Sequence, residues 1–174
     1  MNTKFTTEPT IDERAEQRSV GIRTQSSIDE LPTVIPATLG ELYAWMDQRG
    51  IAWAGAPFLR FHVIDMAAQM QIELGVPVAS EVAGDGRVTP GVLPAGRYAS
   101  LIYTGAMNAF EGNKTLIEWA KEQGLEWDRW DDPQGDAFAS RYESYLTNPE
   151  EEPDMAKWET EVAIKLADKQ PAKG

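Results

Sequence analysis

A short internal repeat, with its two copies 74 residues apart, constrains the fold of this chain more than any other feature. Six tryptophans occur in 174 residues, so two matched tryptophan pairs with a glycine between them favour a repeated unit over chance. The matching positions of the two copies are Leu42, Trp45, Gly50 and Trp53 in the first and Leu116, Trp119, Gly124 and Trp127 in the second. The chain is therefore predicted to fold as two related halves.

Each copy of the repeat is predicted to be an amphipathic helix that ends at its glycine. Apolar residues recur every three or four positions, which is the spacing of one helix face. These residues are Leu39, Leu42, Trp45 and Met46 in the first copy and Leu116, Trp119 and Ala120 in the second. Gly50 and Gly124 follow directly, where a left-handed residue commonly ends a helix. Trp45 and Trp119 are accordingly predicted to lie in the core.

Strand-like segments surround both helices in the same order. One lies before each helix, at residues 19–24 and 97–105, and a pair follows each helix, at 58–64 with 71–78 and at 139–146 with 160–166. The predicted fold is α+β: a pseudo-twofold duplication of a strand-helix-strand-strand module, with antiparallel sheets, two main helices and a ligand cleft between the halves. Halves of about 60–75 residues are marginally stable alone, so each is expected to pack on the other.

The halves are placed at about residues 19–80 and 89–166, with a glycine-rich turn at 83–87 between them. Residues 1–18 and 167–174 are polar and lack periodic apolar positions. Such segments cannot bury enough apolar surface to offset the entropy lost on ordering. Residues 1–18 are therefore predicted to form a disordered arm, and residues 167–174 a disordered tail.

Charge and composition narrow the classes of partner. The chain has 28 acidic and 16 basic residues, a formal net charge of −12, which repels phosphate and disfavours nucleic acid or an anionic membrane. It has no cysteine and a single histidine, His62, so neither thiolate chemistry nor a histidine-rich metal site is expected, and no cofactor is predicted. No segment approaches the roughly 18–20 apolar residues that span a bilayer. A soluble, cytoplasmic protein is the expectation; no oligomeric state is predicted.

One carboxylate, Glu143, is placed between tyrosines in what is predicted to be a buried strand. Side chains alternate along a strand, so Arg141, Glu143 and Tyr145 share one face while Tyr142 takes the other. A carboxylate among aromatic rings suggests a site for a cationic or hydrogen-bonding ligand. Two other interpretations stay open at this point: Glu143 is solvated on an open sheet face, or it pairs with Arg141 on the same side.

Several motifs of the second half resemble a known family. They are the runs at 96–99 (Gly-Arg-Tyr-Ala) and 142–149 (Tyr-Glu-Ser-Tyr-Leu-Thr-Asn-Pro), then Trp158 and the run at 160–162. Together with the strand-helix-strand-strand order, they resemble the GyrI-like small-molecule-binding domains, which are similar to the effector-binding domains of bacterial multidrug-sensing transcription regulators. The resemblance covers about residues 19–166 and is most specific in the second half.

The resemblance implies an aromatic pocket between the halves, with Glu143 at the position of the family's central glutamate. In regulators that carboxylate pairs with lipophilic cations, and some stand-alone members look like hydrolases that open strained electrophilic rings. Residues 1–18 are too short and too acidic for a DNA-binding domain, so the stand-alone type is expected. Ala163 departs from the pattern, because some regulators carry an aromatic residue there.

The predicted site draws on six residues. If the protein is an enzyme, Glu143 and Tyr103 are the catalytic candidates, with Tyr103 or Tyr145 as a phenol that protonates the departing group. The ligand-binding candidates are Glu143, Tyr145, Tyr103, Phe61, Trp130 and Trp158. For each aromatic residue the alternative is an ordinary packing role. His62 alternates with Phe61 and is therefore predicted to point away from the site as a structural histidine.

Three functions remain open from the sequence. The first is a stand-alone protein that binds a lipophilic, aromatic or cationic small molecule in a cleft with a central glutamate. The second is a hydrolase of strained electrophilic ring compounds that uses Glu143 with a tyrosine. The third is a protein-binding inhibitor of the gyrase-inhibitor type, acting through its acidic surface.

Overall fold

A computed structural model describes residues 5–65 and 67–168. In this range the protein forms ten β-strands and two α-helices. The strands are β1 (Thr10–Arg14), β2 (Gln17–Ser26), β3 (Phe58–Ile64), β4 (Met70–Pro77), β5 (Val88–Leu93), β6 (Gly96–Thr104), β7 (Arg129–Asp132), β8 (Gly135–Phe138), β9 (Arg141–Tyr145) and β10 (Glu159–Lys165); the helices are α1 (Leu31–Gln48) and α2 (Ala109–Glu122). The predicted α+β class is confirmed.

All ten strands belong to one antiparallel sheet. The main order is β1-β6-β10-β9-β3-β4-β2-β5, and the β7–β8 hairpin attaches beside β3. The centre of the sheet, here called the seam, is the pairing of β3 with β9, where Leu59 lies opposite Glu143. On one side of the seam lie β3, β4 and β2 with α1, and on the other lie β9, β10 and β6 with α2; along the chain, β7 and β8 stand between α2 and β9, so the predicted duplication stays a prediction.

Both helices cover the same face of the sheet, called here the helix face. Residues directly opposite on paired strands share a face, so Leu74, Leu59, Glu143 and Val162 lie in one row across the seam. Leu59 and Leu74 pack with residues of α1, including Leu39, and Val162 packs with Leu116 of α2. The opposite, outer face carries Phe58, Tyr98, Tyr142 and Ala163.

Both helices end as predicted. Gly50 and Gly124 have φ of 65° and 70°, the left-handed region that glycine adopts without steric cost. The amide of Ile51 donates to the carbonyl of Met46, and Leu125 donates to Ala120 in the same way. With the bonds from Gly50 to Asp47 and from Gly124 to Lys121, each end is a Schellman motif. The repeat therefore encodes two equivalent helix stops.

The predicted disordered arm is wrong for the residues that the structure describes. Thr10–Arg14 forms the edge strand β1, paired with β6 over five residues, and β2 already begins at Gln17. An edge strand gains backbone hydrogen bonds while most of its side chains stay in water, so β1 shows no apolar periodicity. Residues 1–4 and 169–174, including most of the predicted tail, lie outside the described part of the chain.

Two further elements were not predicted. β5 contains Pro90, which is tolerated because β5 is an edge strand. The β7–β8 hairpin turns at residues 133–134 and joins the sheet by two residue pairs to β3, Val63 with Ala137 and Ile64 with Asp136. Within the described ranges neither helix is long and apolar enough to cross a membrane.

Candidate functional site

Glu143 lies on the helix face at the seam, with its side chain turned toward α2. The residue is only 7% exposed, so the interpretation as a solvated surface carboxylate is wrong. Its neighbour across the seam is Leu59, which is 2% exposed. A carboxylate in such surroundings loses most of its hydration and must be compensated by hydrogen bonds or by a cation.

Two side chains from different elements donate hydrogen bonds to Glu143. The hydroxyl of Tyr103, on β6, donates to Oε1 at 2.9 Å. The amide Nδ2 of Asn113, on α2, donates to Oε2 at 3.2 Å and also to the carbonyl of Ala109. The carboxylate therefore links β9, β6 and α2, and both of its oxygens are satisfied by neutral donors.

Gly112 explains why α2 comes so close to β6. A Cβ atom at this position would lie 2.7 Å from Cδ2 of Tyr103, a separation that real Cβ atoms do not show. The missing side chain lets the helix rest directly on the tyrosine ring. The next residue, Asn113, then reaches the carboxylate.

Arg141 approaches the site but does not bind the carboxylate directly. Its Nη2 donates to Oδ1 of Asn113 at 3.1 Å, and its guanidinium lies 4.9 Å from the ring centre of Phe138 and 6.0 Å from that of Phe61. Its buried Nε has no hydrogen-bond partner among the described residues. The predicted pairing of Arg141 with Glu143 is thus relayed through Asn113.

Burial dominates the electrostatics of the site. It raises the pKa of Glu143, against the lowering effect of the bonds from Tyr103 and Asn113 and of the Arg141 charge. Burial, together with the adjacent carboxylate, raises the pKa of Tyr103 far above that of a free phenol. For Tyr145 burial is again the main cause of a raised pKa, followed by Glu143 and Tyr103. Both phenols therefore remain protonated donors at neutral pH.

Four of the six predicted site residues come together on the helix face. Tyr103 binds Glu143, and Tyr145 packs in the same apolar cluster as Phe61. Trp130, on β7, is 51% exposed and belongs to none of the core clusters. The indole N–H of Trp158 donates to the carbonyl of Glu152 at 2.6 Å, which fastens the loop between β9 and β10. Among the described residues, neither tryptophan has a hydrogen bond or ring contact to Glu143 or its partners.

Asn113 is the site residue that the sequence analysis missed. It shares a helix face with Leu116 and Ala120, which are both buried. A polar residue in a buried helical stripe was therefore the available signal. Gly112 offered none, because its role depends on the distance between α2 and β6.

A second buried glutamate, Glu73, has different partners. It lies on the outer face, 3% exposed, and Nε2 of His62 is 2.8 Å from its Oε1. Burial raises its pKa, but the hydrogen bond to His62 and the charge of Arg60 outweigh that effect, so the pKa of Glu73 is lowered. His62 thus points away from Phe61 and is bonded, as predicted. In the described chain no group of three or more His, Cys, Asp or Glu side chains could hold a metal ion.

An open groove of about 450 Å³ lies on the outer face. Its lining includes Arg14, Phe58, Leu93, Tyr98, Tyr142 and Glu161. Glu143 is not part of this lining, since it points to the helix face. The predicted cleft with a central glutamate is therefore not this groove, and it stays a prediction.

The sequence matches the model of one protein family, described as the GyrI-like small molecule binding domain, over residues 7–167. No curated protein matches it.

Several solved structures have a similar fold, and three of them are compared with this chain by sequence identity, TM-score and coverage. The EcmrR C-terminal domain has 18% identity and a TM-score of 0.70 over 92% of this chain and 97% of that one. A hydrolase from Listeria innocua has 14% identity and a TM-score of 0.62, covering 92% of each chain. SAV2435 bound to tetraphenylphosphonium has 12% identity and a TM-score of 0.60 over 93% and 95%. This chain spans 58% of EcmrR in its DNA complex. At such identities the likeness shows the fold alone.

Proposed function

The chain belongs to the GyrI-like small molecule binding domain family, and we propose that it captures lipophilic, aromatic cations at Glu143. The observation that carries this proposal is a buried carboxylate whose two hydrogen-bond donors are neutral. A bound cation adds a direct ionic partner to the indirect one, Arg141, which reaches Glu143 through Asn113. The SAV2435 neighbour is bound to such a cation, tetraphenylphosphonium.

The contrast with Glu73 supports the choice of Glu143. The chain already provides partners for Glu73 in His62 and Arg60, and its pKa is lowered. Among the described residues no cationic side chain bonds Glu143 directly, and the pKa of Glu143 is raised. Of these two buried glutamates, Glu143 is thus the one that gains from an external positive charge.

The surroundings of Glu143 suit one flat or propeller-shaped aromatic cation. In the proposed duplication, the partner position of Glu143 in the first half is Leu59, directly across the seam. The cleft then holds one carboxylate beside an apolar wall, with Arg141 bonded to Asn113. Tyr103, Tyr145 and Phe61 supply ring faces, which attract cations by their quadrupoles. Trp130 and Trp158 remain candidates for the outer rim.

Entry of a ligand requires the first turns of α2 to move. Asn113, in the second turn, covers the carboxylate, and the ligand replaces its hydrogen bond. The neighbouring residues Met107 and Phe110 are 66% and 68% exposed, so they do not anchor this end of the helix in the core. Asn108, the N-cap residue, makes no side-chain capping bond. This end of α2 is therefore the expected entrance.

The test is binding of tetraphenylphosphonium, measured by calorimetry and thermal shift. Glu143→Gln should weaken binding about 30-fold or more, because a desolvated charge pair contributes ~2 kcal/mol or more. The matched control is Glu73→Gln, which changes a buried glutamate on the other face and should keep affinity within about threefold. At about a hundred times its Kd, the cation should stabilise the wild type by ~2.7 kcal/mol.

A neutral probe separates charge from shape. Triphenylphosphine oxide has similar rings but no net charge, so Glu143→Gln should change its affinity by less than about threefold, a shift of ~0.6 kcal/mol. Equal losses for the cation and the neutral compound would contradict the proposed role of the carboxylate. Failure of the wild type to bind the cation would contradict the proposed function itself.

Hydrolysis of a strained ring is the second candidate, favoured by the direct bond between Glu143 and Tyr103. A carboxylate with a raised pKa is a suitable general base, and a protonated phenol is a suitable acid. In epoxide opening, Glu143 takes a proton from water while the water oxygen bonds to carbon. The carbon–oxygen bond breaks, and Tyr103 protonates the departing oxygen. The proton on Glu143 then returns to the phenolate through their hydrogen bond.

Product formation from styrene oxide tests this second function. Turnover by the wild type should fall about 100-fold or more in both Glu143→Gln and Tyr103→Phe, since acid–base groups contribute on the order of 100- to 10,000-fold. Activity that survives in Glu143→Gln would exclude the mechanism. Binding of tetraphenylphosphonium without any diol product would leave capture as the sole function.

A further inference from the structure

The outer-face groove is separate from the Glu143 site. Tyr142 and Ser144 flank Glu143 on β9 and both line the groove, because successive side chains of a strand point to opposite faces. The groove volume of about 450 Å³ is within the range of small-molecule sites, ~300–1,000 Å³. The sheet itself therefore divides two candidate sites.

The floor of the groove is aromatic. The ring centres of Phe58 and Tyr142 are 5.8 Å apart, and those of Tyr98 and Tyr142 are 5.9 Å apart, both in edge-to-face geometry. Phe58 and Tyr98 are each 1% exposed and Tyr142 is 6% exposed, so only a small part of these rings borders the groove. Leu93 and Leu146 add apolar walls. A planar aromatic group can pack against Leu146, which is 45% exposed, and meet the part of Tyr142 that borders the groove.

The single cation of the groove lining, Arg14, has no donor left for a ligand. Its Nη atoms donate to both oxygens of Glu161, at 3.1 and 3.0 Å, to the hydroxyl of Tyr142 at 3.0 Å and to that of Ser100 at 3.2 Å. Its Nε donates to Asp12 at 3.1 Å. A guanidinium has five N–H groups, and all five are engaged. An anionic ligand would thus find no free donor on Arg14.

Hydrogen-bond acceptors, in contrast, remain available in the groove. A carboxylate accepts about four hydrogen bonds, and Arg14 donates two to Glu161, whose side chain is 23% exposed. The Ser144 hydroxyl has no bonded partner among the described residues and also lines the groove. With Glu16 included, the lining carries two carboxylates and one guanidinium, a net charge of −1. The groove therefore selects a cation that can donate hydrogen bonds.

We propose that the outer-face groove is a second ligand site, which binds aromatic primary amines with the ring against Leu146 and Tyr142 and the ammonium on Glu161 and Ser144. This site takes a different chemical class from the Glu143 site. Tetraphenylphosphonium has no N–H donor, whereas the acceptors of the groove require one. The inference stands independently of ligand capture at Glu143.

The test uses 1-naphthylmethylammonium and three isosteres, followed by NMR. The isosteres are the N,N,N-trimethyl derivative without N–H donors, the neutral alcohol and the carboxylate. The primary amine should show intermolecular NOEs to the methyls of Leu93 and Leu146 and none to those of Leu116 on the helix face. Each isostere should bind at least about fivefold more weakly, the effect of one lost charge-assisted hydrogen bond.

Two pairs of variants localise the binding. Leu146 is 45% exposed at the groove, so Leu146→Lys and Leu146→Glu add opposite charges at one position, and should weaken and strengthen binding of the amine by about threefold each. Ala56→Trp fills the groove and should abolish binding, while the same change at the exposed Ala52 should not. Glu143→Gln should leave the amine affinity unchanged.

The proposal is overturned by any of three results. The first is no NOE to Leu93 or Leu146 at about 5 mM amine, which excludes a Kd in the millimolar range. The second is equal affinity for all four naphthyl compounds. The third is loss of amine binding in Glu143→Gln with no change in Ala56→Trp, which would assign the amine to the helix face.

Discussion

At the scale of single residues, Glu73 and Glu143 show how partners decide the role of a buried carboxylate. Both are glutamates in central strands, and both are less than 10% exposed. Glu73 is held over Gly21, where a Cβ atom would lie 2.3 Å from its Oε2, and it is bonded by His62. Glu143 is held by a phenol and an amide. The first arrangement is complete within the chain, and the second is suited to an added cation.

The pH dependence of stability should differ in sign between the two glutamates. Burial raises the folded-state pKa of Glu143, so its ionisation costs stability as the pH rises above the unfolded value of about 4.3. Glu143→Gln should therefore gain stability relative to the wild type in urea unfolding as the pH rises above about 4.3. The lowered pKa of Glu73 predicts the reverse: the advantage of the wild type over Glu73→Gln should shrink as the pH falls through the acid range.

A constant difference between wild type and Glu143→Gln at all pH values would contradict this prediction. It would mean that the hydrogen bonds from Tyr103 and Asn113 offset burial fully. The Glu73→Gln series then serves as the internal reference, since it is measured by the same unfolding curves.

Glu143 and Tyr103 were predictable as site residues from the sequence. The side chains that lie over the carboxylate, Asn113 and Arg141, were not predictable as its cover. A glutamate flanked by tyrosines in a strand is an unusual pattern that local alternation can interpret. The contacts of Asn113 and Arg141 depend on how α2, β8 and β9 pack together, and no local sequence pattern specifies that packing. The partners of Trp158 depend in the same way on the path of the loop after β9.

At the scale of elements, the contact of α2 with β6 determines the geometry of the site. Gly112 lies on the ring of Tyr103, and the next residue, Asn113, donates a hydrogen bond to the carboxylate of Glu143. The glycine of α1, Gly40, does not permit a close approach of this kind. It is exposed, and a Cβ atom there would meet nothing within 4 Å. The two helical glycines thus differ in function although both are unfavourable for helix propensity.

Alanine at the two positions should have opposite effects. Gly40→Ala should stabilise the protein by about 1 kcal/mol, because alanine has the higher helix propensity and the site is open. Gly112→Ala should destabilise it by about 1–3 kcal/mol, because the new methyl group displaces Tyr103 or the helix. Urea unfolding measures both changes. A stabilised Gly112→Ala variant would show that α2 does not rest on Tyr103.

The elements that the sequence predicted are those with local signals. Helix ends were located by glycines, and β2, β3, β4, β6, β9 and β10 by apolar or alternating residues. β1 lacks such a signal because it is stabilised by pairing with β6 and by the bond between Arg14 and Glu161, not by buried apolar side chains. β5 contains a proline, and its order depends on pairing with β2, far away in sequence. β7 is mostly polar and pairs with β8, which in turn joins the sheet at β3, far away in sequence.

At the scale of the whole molecule, the seam joins the two sides of the sheet into one core. β3 and β9 pair at its centre, and Tyr145 of β9 packs with the cluster that includes Leu39 of α1. On the outer face, Arg60 donates at 2.8 Å to the carbonyl of Val92 in β5 and at 2.8 Å to that of Ala139 before β9. Neither side of the seam can therefore separate without losing buried contacts.

Removing Arg60 should destabilise the molecule as a unit. Arg60→Leu leaves two carbonyl groups without a donor, so the free energy of unfolding should fall by about 2–4 kcal/mol. Arg18→Leu is the control: the Arg18 side chain is 47% exposed, and its ion pair with Glu81 is also at the surface. Its loss should change stability by less than about 1 kcal/mol.

Urea unfolding followed by both circular dichroism and tryptophan fluorescence checks the prediction. Trp45 and Trp119 report on α1 and α2, so the fluorescence samples both sides of the seam. If the seam couples the two sides, the two probes should give one coincident transition in the wild type and in Arg60→Leu, with a lower midpoint in the variant. Separate transitions in the variant would mean that Arg60 alone maintains the coupling, and separate transitions in the wild type would mean that the two sides unfold independently.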